Sequence, residues 1–157
     1  MIRSIRVLIV EDNADDAYLA VRELEKAGYK VDSYRCDDSV VFMEKLSSER
    51  WDLVISDYSL PGFSGIHVLE MVKELTPETP CIMVTGQMGE EFAVEAMRAG
   101  ARDYILKGTW SRLAPAIDRE LREAEIRRQK RETEQKLSEQ QEIYRAVLEQ
   151  SIDGLVL

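Results

Sequence analysis

Val7-Leu8-Ile9-Val10-Glu11-Asp12-Asn13 is the stretch on which the fold is decided. Four apolar residues, three of them β-branched, stop abruptly on two acids and an amide. An apolar run this short, rich in β-branching, reads as a strand buried on both faces, as in a parallel sheet. The pattern returns at Leu53–Ile55, Ile82–Val84 and Tyr104–Leu106, and Val31–Cys36 is a more polar version that reads as an edge strand. Helical spacing fills the gaps. Ala17, Ala20, Val21 and Leu24 share a face, with Gly28 as the stop. Val68, Met71, Val72 and Leu75 repeat it ahead of Pro77, and Ala93, Ala96 and Met97 repeat it ahead of Gly100. Val40–Leu46 reads as a further, weaker helix. Five rounds of strand and helix predict an α/β fold, a doubly wound five-stranded parallel sheet covered on both faces, with right-handed crossovers.

In such a sheet, ligands bind beyond the carboxyl ends of the strands. Glu11 and Asp12 follow the first strand, Asp57 follows the third, Thr85 ends the fourth and Lys107 follows the fifth. Singly, each has an ordinary explanation. Asp12 or Asn13 could cap the first helix. Asp57 could be a turn acid ahead of Pro61-Gly62. Thr85 could simply end a strand, and Lys107 could be a solvated lysine. Gathered on one rim, they suit phosphoryl transfer to a carboxylate. Three carboxylates are hard donors for Mg²⁺. Asp57 can act as the nucleophile and become an acyl phosphate. The Lys107 ammonium and the Thr85 hydroxyl can then meet phosphoryl oxygens.

Four segments, in this order and at these spacings, resemble the receiver domain of two-component response regulators over roughly residues 4–118. They are Val7–Asn13, then Asp57-Tyr58-Ser59-Leu60-Pro61-Gly62-Phe63-Ser64-Gly65, then Thr85-Gly86, then Ala99-Gly100-Ala101-Arg102-Asp103-Tyr104-Ile105-Leu106-Lys107. The resemblance implies the flavodoxin-like strand order 2-1-3-4-5. It implies that Asp57 is the phosphoacceptor, served by a histidine kinase or phosphotransfer protein carrying phosphohistidine. It implies that Glu11, Asp12, Asp57 and the Ser59 backbone carbonyl hold Mg²⁺, and that Lys107 contacts the phosphoryl group. It further implies Thr85 and Tyr104 as a switch pair, and Ser59 and Gln87 as residues that tune phosphoryl lifetime. The family usually follows its lysine with a cis proline, whereas this chain has Gly108. A receiver promotes its own phosphorylation and dephosphorylation. The output of the parent chain stays open between a histidine kinase and a cyclic-dinucleotide enzyme.

The chain has 157 residues and a net charge of -9. That acidity argues against nucleic acid and anionic membrane as partners, since phosphates would repel it. No apolar run reaches transmembrane length, and Ile5–Val10 is too short and too soon acidic for a secretory signal. Two cysteines, Cys36 and Cys81, are too few for a disulfide framework and read as core thiols in a reducing cytoplasm. Trp51 reads as packing, and His67 as an ordinary helix residue.

Residues 1–118 carry 13 basic and 21 acidic side chains, whereas residues 119–142 carry seven of each. With apolar residues thinning after Ile126, this predicts a receiver over 1–124 and a helical, coiled-coil-like linker over 125–150. Ser111 is expected to cap that last helix. Ile126, Thr133, Gln140 and Val147, with Leu137 and Tyr144, draw a weak seam for a parallel homodimer. Residues 143–157 resemble the opening of a PAS domain, placed at 151–157 with its first strand near Gly154. Two rival functions remain. One is a haloacid-dehalogenase-type phosphatase, which places a second Asp where this chain has Ser59. The other is a degenerate receiver that binds proteins without phosphate, for which Gly108 is the one support.

Overall fold

The structure is a computed structural model that describes residues 3–86 and 90–155; Gln87 lies outside the described residues. Five strands, β1 (Arg3–Val10), β2 (Tyr29–Cys36), β3 (Leu53–Ser56), β4 (Cys81–Thr85) and β5 (Asp103–Leu106), form one sheet in the order β2-β1-β3-β4-β5. Every neighbouring pair is parallel. This is the doubly wound, flavodoxin-like arrangement expected of the strand–helix alternation. The polar second strand is an edge, and most of its residues are exposed.

The period of two along β1 sorts its side chains onto two cores. Val7 and Ile9 join Leu53, Ile55, Ile82, Val84 and Ile105 beneath α1 (Ala14–Lys26) and the first turns of α5 (Leu113–Leu155). Leu8 and Val10 face the other way, onto α2 (Ser39–Ser48), α3 (Gly65–Leu75) and α4 (Glu90–Arg98) through Phe42, Leu46, Val68 and Ala96. Val7, Leu8 and Val10 are completely buried, and each such side chain contributes roughly 1.5–3 kcal/mol relative to exposure. Caps fix where the helices start. Asn13 Oδ1 accepts from the Asp15 and Asp16 N–H groups at the head of α1, and Asp38 does the same for α2.

The end of the sheet away from the acids is tied by Arg6. Its guanidinium pairs with Asp32 and Glu49 and lies 4.5 Å from the centre of the Trp51 ring. Trp51 is buried there, its indole N–H donating to the Lys45 carbonyl. His67 is exposed on α3, and Cys36 and Cys81 are buried free thiols.

Three local features differ from the sequence reading. Ser59–Leu60 and Phe63–Ser64 pair as a small antiparallel hairpin around Pro61-Gly62, where only a turn was expected. Gly62 takes φ +80 at its tip, a conformation that glycine adopts without strain. Ser111 does not cap α5, because it sits inside a 3₁₀ turn, Trp110–Arg112, that leads into the helix. Helix α5 continues through Gly154 to Leu155, past the stop expected near Gln150 and the strand expected near Gly154. A lone extended segment without a neighbouring strand leaves its backbone groups unpaired, whereas a helix pairs its own.

The chain divides into two compact units, Met1–Ala124 and Glu125–Leu157. In the second unit, the described residues are helical, and those from 129 to 154 are all exposed. No helix among the described residues is long and apolar enough to cross a membrane.

Candidate functional site

Register builds the site. Val10 aligns with Ser56 across β1 and β3, and with Cys36 across β1 and β2, so these strands run out together. The ladder then continues one residue further. The Asp57 N–H donates to the Val10 carbonyl at 2.9 Å, the Glu11 N–H to the Cys36 carbonyl at 3.0 Å, and the Lys107 N–H to the Thr85 carbonyl at 2.8 Å. The backbone of each chemical residue is therefore held by the sheet, while its side chain stands just past the last strand residue.

Glu11, Asp12 and Asp57 each bring one carboxylate oxygen to a spot where all three lie within 4.8 Å of one another. Glu11 and Asp57 are buried and Asp12 is exposed. Three hard oxygens so close, one of them reachable from solvent, suit a small divalent cation such as Mg²⁺. The Lys107 ammonium closes the cluster, 2.9 Å from Asp57 Oδ2 and 2.9 Å from Glu11 Oε2. Its third partner is Asp16 Oδ2, at 2.7 Å.

These contacts shift the groups that make them. Burial pushes the Glu11 carboxyl up to about 7, against the Lys107 hydrogen bond and the Asn13 N–H that pull it down; the Asp57 charge adds to the rise. Burial pulls the Lys107 ammonium down, but the hydrogen bonds it donates to Asp16, Glu11 and Asp57 outweigh this and leave the group above its ordinary value. The Tyr104 phenol is raised by burial and then by the Asp57 charge, so the ring on the edge strand β5 senses the carboxylate.

The remaining expected residues fall around this cluster. Thr85 is fully buried at the end of β4. Tyr104 is half-buried on β5, in register with Met83. The Ser59 N–H donates to Asp57 Oδ1 at 3.3 Å. Asn13, not Asp12, caps α1, and the Asn13 N–H also holds Glu11 Oε1 at 3.1 Å. Gly108 takes φ +96, and among the described residues no peptide bond is cis. Lys107 nonetheless reaches Asp57, so glycine turns this loop by a left-handed route in place of proline's.

Asp16 is the residue that sequence reasoning missed. Its only local signal is its place in the first turn of α1, where an acid is ordinary because it complements the helix dipole. Tyr58 was quoted but given no role. Its hydroxyl donates to Glu95 of α4 at 2.6 Å, and its ring meets Phe92 edge-on with centroids 5.1 Å apart.

Comparison with known proteins agrees with this geometry. Residues 7–117 match the model of the response regulator receiver domain. The nitrogen assimilation regulatory protein NtrX of Azorhizobium caulinodans is 33% identical over 132 residues, which is 82% of this chain and 29% of that protein. The chain thus spans less than a third of that relative's length. A CheY-like receiver domain protein from Methanospirillum hungatei superposes with a TM-score of 0.68 at 31% identity, covering 78% of this chain and 98% of the other. A response regulator from Burkholderia pseudomallei, solved with a phosphorylated aspartic acid and a calcium ion, superposes with a TM-score of 0.58 at 25% identity, covering 66% and 59%.

Proposed function

The chain belongs to the response regulator receiver domain family, and from that premise we propose that Asp57 is its phosphoacceptor. Receiver domains work with histidine kinases or phosphotransfer proteins and bind Mg²⁺ at an acidic pocket. In our reading, an Asp57 carboxylate oxygen forms a bond to phosphorus as the P–N bond of a partner phosphohistidine breaks. The electron pair stays with the imidazole nitrogen, which takes a proton from solvent. Glu11, Asp12, Asp57 and the Ser59 carbonyl would hold Mg²⁺, which when bound supplies positive charge for the phosphoryl oxygens. Lys107 supplies a second positive charge, and positioning of this kind accounts for most of the catalysis in phosphoryl transfer.

One observation carries the reading: the Lys107 ammonium lies 2.9 Å from Asp57, beside two further acids. The phosphorylated aspartate of the Burkholderia pseudomallei regulator supports it by likeness. Incubation with phosphoramidate and Mg²⁺ should add the mass of one phosphoryl group, and Asp57→Asn should abolish the addition. Label persisting in that variant would refute the assignment. The phosphate-independent reading leaned on Gly108, and Lys107 reaches Asp57 in spite of it. The phosphatase reading needs an acid where Ser59 stands.

Thr85 and Tyr104 then act as the switch. The Thr85 hydroxyl follows the new phosphoryl oxygens, and the Tyr104 ring takes the space it leaves, reshaping α4, β5 and the start of α5. By the family resemblance, Ser59 and Gln87 tune the lifetime of the phosphoryl group. The signal passes along α5 to a module resembling a PAS domain, entered at 151–157 after a linker over 125–150. A second copy pairs in parallel through α5. Support comes from Ile126, Leu137, Ile143, Tyr144, Val147, Leu148 and Ile152, which are 44–66% exposed and, at the helical period, all fall on one half of the circumference. Sedimentation of Leu148→Lys should give a lighter species than the parent chain. The net charge of -9 supports a protein partner rather than nucleic acid or membrane, and the free thiols support the cytoplasm.

A further inference from the structure

Lysine has three N–H donors, and Lys107 spends all of them on carboxylates: Asp16 at 2.7 Å, Glu11 at 2.9 Å and Asp57 at 2.9 Å. The three partners are not equivalent. Glu11 and Asp57 belong to the acidic cluster with Asp12, so a divalent cation there competes with the ammonium for the same lone pairs. A phosphoryl group on Asp57 would claim that carboxylate outright. Asp16 lies outside the cluster, on the first turn of α1. Its backbone is pinned by Asn13 Oδ1, which accepts its N–H at 3.2 Å, and its carboxylate approaches the lysine from the helix.

The residue after Lys107 leaves open space beside the lysine. Gly108 has a left-handed φ of +96, and a Cβ placed there would meet nothing within 4 Å. The backbone on either side is held, by the Lys107 N–H on the Thr85 carbonyl and the Thr109 N–H on the Leu106 carbonyl, but Gly108 itself brings no side chain against the lysine. The ammonium is held by three partners across the rim, and of these only Asp16 stands outside the acidic cluster that metal and phosphoryl group would claim.

We propose that Asp16 is a positioning residue that holds Lys107 over the Asp57 carboxylate while Glu11 and Asp57 turn to a cation and a phosphoryl group. The proposal rests on the reading of Asp57 as phosphoacceptor. Asp16 acts through the lysine and touches no reacting atom.

Asp16→Asn in the full chain tests it, because the amide has the same shape and no charge. The first readout is the Lys107 ammonium itself, followed by ¹⁵N NMR with Mg²⁺ present and assigned by its loss in Lys107→Met. The ammonium signal should persist in the parent chain and vanish by fast exchange in Asp16→Asn. The second readout is the rate of phosphoryl acceptance from phosphoramidate. It should fall at least about tenfold in Asp16→Asn, the scale expected for a misplaced catalytic group, and recover in Asp16→Glu. Placing Asp16→Asn in a Lys107→Met background should cause no further loss. An additional loss there would mean that Asp16 acts by charge alone and would overturn the proposal. So would an unchanged ammonium signal or a parental rate in folded Asp16→Asn. If the parent chain accepts no phosphoryl group while its ammonium signal responds as described, the phosphoacceptor reading fails and the contact stands only as a structural ion pair.

Discussion

Tyr58 and Glu95 are joined by a 2.6 Å hydrogen bond that links the residue after Asp57 to helix α4. The bond is the first cause, and burial the second, of a phenol pushed up to about 12. Phe92 lies edge-on against the same ring, so the α3 side of the rim and α4 share one small contact. Any change that moves the Asp57 backbone has a short route to α4 through Tyr58.

Tyr58→Phe keeps the ring contact and deletes the hydroxyl. The fold should lose about 0.5–1 kcal/mol in urea denaturation, the scale of a partly exposed hydrogen bond. Hydrogen exchange should quicken in Glu90–Arg98 while the exchange of β1 and β3 stays as before. Unchanged exchange in α4 would show that the bond does not restrain the helix.

Gly65 opens α3 where there is no room for a side chain. A Cβ there would stand 2.5 Å from the Asp57 carbonyl oxygen and 2.8 Å from Met83 Sδ. Met83 can shift, but the Asp57 carbonyl is backbone and cannot move alone. Gly65→Ala should therefore cost about 1–3 kcal/mol, read as a lower urea midpoint at constant slope. It should also slow phosphoryl acceptance by displacing Asp57. A variant as stable as the parent would mean that α3 can retreat as a unit.

Alkaline pH should weaken the fold through Tyr29. Burial and then the hydrogen bond that its hydroxyl donates to Asp118 push the phenol up to about 12 from an ordinary 10.0. Between those values, the unfolded chain has released a proton that the folded chain still holds. Stability is therefore complete below pH 10 and drains as pH rises toward 12. Tyr29→Phe should show a shallower loss over that window in denaturant midpoints. The slope should not vanish, because Tyr58 is raised over the same range.

The two thiols should be nearly inert in the folded protein. Burial raises Cys36 to about 11 and Cys81 to about 12, so little thiolate exists near neutrality. Ellman's reagent at pH 8 should label both slowly in buffer and rapidly in denaturant. Fast labelling of the native chain would mean that one core opens readily.

The parts of this architecture legible from sequence were those with a local cause. Apolar runs such as Val7–Val10 define strands by their own composition, and parallel strands put whatever follows them on one rim, so Glu11, Asp57 and Lys107 could be named together. Asp16 could not, because its partner is 91 residues away and its local context already explains an acid. Tyr58 and Glu95 meet only because the fold brings α4 to the residue after Asp57. Ser111 looks like a helix cap until the 3₁₀ turn at Trp110–Arg112 takes it up. The end of α5 was misplaced because Gly154 signals a stop, yet the helix carries its backbone bonding through it to Leu155.

The backbone bonds that carry Glu11, Asp57 and Lys107 each sit one position past the final rung of the ladder. The reactive centre is thus specified by counting along the strands. Deleting a single residue inside β1 or β3 would exchange its occupants for their neighbours and send each side chain into the opposite core. Such lesions should produce a folded but chemically silent protein more readily than mutations in the surrounding loops, where length can drift without changing which groups meet.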